Sequence, residues 1–180
     1  MAGMVEQTYA EAVFKLGEEQ NCLDTLCNEI FDVADILGDN TDFLKLLSSP
    51  TIPLDEKKSA IERVFKGKVS DYTLNFLFVI TEKNRSSYIR GIADRLKALY
   101  NDYNGIIEVK VTTSEELSAE LSSKLKAKLE SVSGKKVTLI PKIDKSILGG
   151  IVLDYGNTRM DSSVKTRLEG VRNAVKSIIA

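Results

Sequence analysis

The spacing of apolar residues changes character once along this 180-residue chain, at Asn104 and Gly105, and that change requires two kinds of architecture. Before it, apolar side chains recur every three or four positions. After it, they first alternate. The first period suits helices that bury one stripe, and the second suits strands that bury one face. The expected fold is therefore two domains: an N-terminal all-α six-helix bundle over residues 1–104 and a small C-terminal α+β domain over residues 105–180.

In the first part, Tyr9, Val13 and Leu16 form one stripe, and Leu23, Leu26, Ile30, Ala34 and Leu37 a second that stops at Gly38. A brief helix from Asp42 to Leu47 ends before Ser48, Ser49 and Pro50. Pro53 then opens a fourth helix that runs to about Phe65 and ends at Gly67. A fifth starts near Asp71, and a sixth covers about Ser86 to Tyr100.

In the second part, Ile107, Val109 and Val111 face one way in a strand. Thr113 and Glu116 have capping-box spacing for a helix through Leu117, Leu121, Leu125 and Leu129 to Gly134. Val137, Leu139 and Ile143 alternate again, and Gly156-Asn157 joins Ile151–Tyr155 to Thr158–Met160 as a hairpin turn. Asp161 or Ser162 caps a last helix that carries Val164, Leu168, Val171, Val175 and Ile178. The order is βαβββα, with the helices on one sheet face.

The chain contains no histidine, which removes the commonest general base and metal ligand. Cys22 and Cys27, five apart on a helix, point about 140° from each other and imply neither a bridge nor a metal pair. Gly149-Gly150 leads into a strand rather than a helix N-terminus, so a phosphate cradle is not expected. Adjacent acids such as Glu18-Glu19 and Glu115-Glu116 diverge by about 100° and read as solvated surface. Catalysis, a metal and a cofactor are therefore not expected. With no apolar run of the roughly 18 residues that span a bilayer and no basic-then-apolar leader, a cytoplasmic chain is expected.

Two features point to binding. The segment Leu74–Ile80 has six apolar residues out of seven, pointing all around a helix, so that helix is either central to its bundle or meets a partner helix on one side. Charge is also uneven: residues 1–104 carry 12 Lys/Arg against 17 Asp/Glu, and residues 105–180 carry 13 against 9, within an overall −1. Lys165, Arg172 and Lys176 share one face of the last helix, which reads as solvated surface, as a seat for an acidic protein, or, in the alternative reading, as part of an RNA-binding module.

The run Lys142-Ile143-Asp144-Lys145-Ser146-Ile147-Leu148-Gly149-Gly150-Ile151-Val152-Leu153, followed by Gly156-Asn157, Met160-Asp161-Ser162-Ser163-Val164-Lys165 and Arg167-Leu168, resembles the signature of the delta subunit of bacterial F-type ATP synthase. That family is similar to the mitochondrial oligomycin-sensitivity-conferring protein. Tyr9-Ala10-Glu11-Ala12-Val13-Phe14, Ser49-Pro50, Lys57, Asn75-Phe76-Leu77 and Asn84-Arg85 follow the family's order. Ser162 stands where many relatives have Gly, and Lys165 where Arg is frequent.

The resemblance implies a non-catalytic stator subunit that links the catalytic alpha/beta head to the peripheral stalk. In that reading the N-terminal domain grips the N-terminal helix of an alpha subunit through Tyr9, Ala12 and Val13 of the first helix and Asn75 and Val79 of the fifth. The C-terminal domain, marked by Asp144, Gly149, Gly150, Asp161 and Arg167, binds the b subunits of the stalk. No nucleic acid is involved. The protein is then peripheral on the cytoplasmic side of the bacterial inner membrane, held there only through the complex.

Overall fold

Helical spacing in the first hundred residues is realised as α1 (Ala2–Glu19), α2 (Leu23–Asp39), α3 (Thr41–Ser48), α4 (Leu54–Phe65), α5 (Asp71–Glu82) and α6 (Ile89–Tyr103), the last entered through a 3-10 turn at Ser86–Tyr88. The structure is a computed structural model that describes residues 2–156 and 158–168; these are mostly helical, with a small four-stranded mixed sheet. The chain separates into two units between Asn101 and Asp102.

The core of the first unit forms where the stripes meet. Leu26, Ile30, Val33 and Leu37 of α2 are buried against Leu77 and Ile80 of α5 and Ile89, Ile92 and Leu96 of α6, in one continuous cluster. Burying each such side chain contributes about 1.5–3 kcal/mol. Cys22 and Cys27 are both free. Burial, then the nearby Asp24 and Cys22, push the Cys27 thiol up to about 12, so it stays protonated and packs as a small hydrophobe.

A polar tie orients α5. Glu29 on α2 accepts from the Ser70 N–H at 3.0 Å, from the Ser70 hydroxyl at 2.6 Å and from the Thr73 hydroxyl. Ser70 is also the N-cap of α5, accepting from the Thr73 N–H. Burial pushes the Glu29 carboxyl up, but the hydrogen bonds from Ser70 and Thr73 together outweigh it and hold the carboxyl below its ordinary value. A depressed folded-state pKa contributes stability that is complete above the unfolded value and disappears as pH falls through the folded one. Glu29→Gln is therefore expected to cost about 2 kcal/mol near neutrality and much less well below pH 4, as read from urea melts at both pH values. An equal cost at both would assign the loss to shape rather than charge.

The second unit contains β1 (Ile106–Thr113), α7 (Ala119–Ser133), β2 (Lys136–Ile143), β3 (Ile151–Tyr155) and β4 (Thr158–Asp161), with a 3-10 turn at Lys145–Ile147. The sheet order is β2-β1-β3-β4, with β1 parallel to β2 and antiparallel to β3, and with β3 and β4 antiparallel. Ile107, Val109 and Val111 of central β1 are buried with Val137, and Leu117, Leu125 and Leu129 pack on them.

Two expected helix starts are corrected. Thr113 does not cap α7: it is the last residue of β1, paired with both Ile143 and Ile151, and its hydroxyl donates to the Glu115 carbonyl. Sheet pairing on both sides claims its backbone, so the helix begins later, capped by Ser118, whose side chain accepts from the Leu121 N–H. Likewise Ser163, not Asp161 or Ser162, accepts from the Thr166 N–H where helix begins again, because Asp161 remains in β4. Val171, Arg172, Val175, Lys176 and Ile178 lie outside the described residues, as does Asn157 of the hairpin turn.

Candidate helix-binding groove

The five residues singled out on the first and fifth helices lie together. Tyr9, Ala12, Val13 and Leu16 of α1 and Tyr72, Asn75, Phe76 and Val79 of α5 line one groove of about 340 Å³. Each wall repeats at i, i+3, i+4, i+7, the spacing of a single helix face. The eight-residue stripes are about 10 Å long, or two turns.

The two walls run in opposite directions. The Tyr72 hydroxyl at the start of α5 donates to the Gln20 side-chain oxygen just past the end of α1, at 3.0 Å, closing one end of the groove. At the opposite end of α1, Glu6 lies against Gly91 of α6, whose segment follows α5. The walls are also layered. Val13 and Phe76 form the buried floor, while Val79 is 47% exposed and Asn75 and Ala12 are exposed along the rim.

The apolar side chains of Leu74–Ile80 divide between the core and the groove. Leu74, Phe76, Leu77 and Ile80 are core, and Val79 looks outward into the groove. An exposed valine beside a half-buried tyrosine gives an apolar strip of the kind that amphipathic helices use as a docking surface. Leu16, Tyr72 and Phe76 complete the lining; their signal in the sequence is the same i, i+3, i+4, i+7 register.

Asp144, Gly149, Gly150, Asp161 and Arg167 do not form a cleft. The Asp144 carboxylate accepts from the Ser146 N–H, the Val164 N–H donates to the Gly149 carbonyl, and the Asp161 carboxylate accepts from the Ser163 N–H. A side chain at Gly150 would stand 2.6 Å from the Ser162 carbonyl oxygen. The aspartates thus shape their own turns, while Gly149 and Gly150 join the 144–150 turn to the segment that leaves β4. Arg167 is exposed in the following turn. The hydrogen bonds to Ser146 and to Ser163 hold the Asp144 and Asp161 carboxyls, respectively, below the usual range. Among the described residues, no group of three or more Cys, Asp or Glu is placed to hold a metal.

The model of the ATP synthase delta (OSCP) subunit family matches residues 5–175. The chain is 36% identical to ATP synthase subunit delta of Clostridioides difficile (strain 630), across the full length of both chains. It is 33% identical to that of Desulforamulus reducens, covering 98% of each chain. Among solved structures it resembles a chain of the Toxoplasma gondii mitochondrial ATP synthase hexamer, with a TM-score of 0.71 and 25% identity, over 94% of this chain and 96% of that one.

Proposed function

The chain belongs to the ATP synthase delta (OSCP) subunit family, a non-catalytic structural subunit of F-type ATP synthase with a stator-type role, and from that premise we propose how it makes its connections. Residues 1–104, read as a six-helix bundle, hold the N-terminal helix of an alpha subunit in the groove between α1 and α5. Residues 105–180, read as a βαβββα unit, hold the b subunits of the peripheral stalk. The protein then ties the catalytic head to the stalk against rotor torque during proton-driven ATP synthesis. It sits peripherally on the cytoplasmic side of the membrane; no described helix is long and apolar enough to cross one.

The observation that supports this reading most directly is the groove, whose two antiparallel stripes offer Val79 and Tyr72 to a guest while keeping Val13 and Phe76 as floor. The physical requirement is a strong grip without chemistry. Two moderate contacts on one chain achieve it, because the first raises the effective concentration of the second, and the combined grip exceeds either by roughly 10²–10⁴. None of the relatives supports the RNA-binding alternative.

The division of labour is tested by truncation after Gly105. The remaining helices should keep their helical circular dichroism and bind a synthetic alpha N-terminal peptide with unchanged Kd, while capture of the b subunits is lost. Retained capture of b would place stalk binding on the helical unit and refute the division.

A further inference from the structure

The groove between α1 and α5 carries a polar residue where a purely apolar seat would have none. Asn75 sits in the middle of the α5 wall, three residues after Tyr72 and four before Val79, on the same helix face. A guest that touches both neighbours therefore covers it. Asn75 is exposed, and its amide makes no hydrogen bond among the described residues.

The surroundings offer that amide little. Ala12, Val13, Leu16 and Phe76 have no side-chain donor or acceptor, and the Tyr72 hydroxyl already donates to Gln20. The other polar group in the lining, the Tyr9 hydroxyl, is on the opposite wall and is not bonded to Asn75. In the free chain the exposed amide has water for both its oxygen and its NH2 group, and a docked helix displaces that water.

Displacing the water without replacing its hydrogen bonds weakens the complex, whereas a guest side chain that donates to the Asn75 oxygen or accepts from its NH2 group avoids that loss. A single Asn within the apolar seam of a coiled coil fixes register for the same reason. The loss depends on alignment. Sliding the guest by one turn, about 5.4 Å, brings a different residue of its stripe over Asn75.

We propose that Asn75 sets the register of the guest: it selects a helix whose apolar stripe is interrupted once by Asn, Gln, Ser or Thr, and holds that side chain opposite its own amide. Asn75 lies about 4.5 Å along the helix axis from Tyr72, whose bond to Gln20 closes the groove. The guest's polar residue therefore comes one turn from the end of its stripe that meets this closure. A tie against torque needs one register, since a guest able to slip by a turn would yield before it held. The inference rests on the reading of the groove as the seat of an alpha N-terminal helix and adds what the seat selects.

The test titrates the full chain, by calorimetry, with a synthetic alpha N-terminal peptide and with versions in which each polar residue on the peptide's apolar stripe is exchanged for Leu in turn. One exchange should raise Kd by about tenfold or more against the native chain but by less than about threefold against Asn75→Leu. Asn75→Leu, at an exposed position, should keep its thermal melt and bind the unaltered peptide about tenfold more weakly, and the matched Leu peptide should recover most of that loss. If Asn75→Leu binds every peptide as the native chain does, or loses the same factor for all of them, Asn75 sets no register and the inference falls; loss of binding in Val79→Glu would leave the groove reading standing. Tight binding of a peptide whose stripe has no polar interruption would overturn it as well. If the native chain binds no alpha peptide, the groove reading fails and this inference fails with it.

Discussion

Val79→Glu should raise the Kd for an alpha N-terminal helix by about a hundredfold while leaving the free protein folded. The side chain is 47% exposed at the rim of the groove, so a carboxylate there stays hydrated in the free chain. Substitutions at such sites change stability by about 0.5 kcal/mol or less. A docked guest strips that water away, leaving an unpaired charge in an apolar contact. Truncating a central interface residue costs 2 kcal/mol or more, and about 2.7 kcal/mol is a hundredfold in Kd. Calorimetry with the peptide reads the affinity, and a thermal melt confirms the fold. An unchanged Kd would remove α5 from the interface, and Ala12→Glu on the facing wall should behave alike if both walls contribute.

The second large effect is expected at Gly150, where two costs coincide. Its φ is +84°, a region side chains other than glycine rarely adopt, and an added Cβ would lie 2.6 Å from the Ser162 carbonyl oxygen and 3.0 Å from the Ser163 Cα. Both obstacles are backbone, so relief requires β3 and the segment after β4 to separate. Gly150→Ala should destabilise the second unit by about 3–4 kcal/mol, combining backbone strain with a forced shift. Gly156→Ala is the control: its φ is +54° but nothing lies within 4 Å, so only strain of about 1 kcal/mol applies. Chemical denaturation should show the gap between the two variants, with alpha-peptide binding preserved in both. Equal losses would mean that the close approach at Gly150 contributes nothing.

Much of this architecture is legible in the residues themselves, and the illegible parts share a cause. Tyr9, Val13 and Leu16 reveal α1 because each helical turn repeats the demand for an apolar side chain. Leu74–Ile80 reveals α5 as unusually apolar for the same reason. Tyr72 is marked in the sequence only by its register with Asn75, Phe76 and Val79, which does not say whether it faces core or groove; its bond to Gln20 places it at the groove's end. Glu29 is silent for a similar reason, its partners Ser70 and Thr73 lying more than forty positions away. Thr113 and Glu116 mislead in the opposite direction. Their local spacing favours a cap, but pairing of Thr113 with Ile143 and Ile151 wins, because ladder bonds on both sides outweigh one side-chain bond. Local patterns report what a segment prefers alone, and tertiary partners decide among those preferences.

The groove's walls are the first and the fifth helices, with some fifty residues of other structure between them. During synthesis α1 leaves the ribosome long before α5 exists, so a nascent chain at that stage carries only one wall of the groove. The groove is complete only once Glu82 has emerged and α5 has folded back against α1. On the proposed role, a chain broken off before Glu82 would lack its grip on the head altogether.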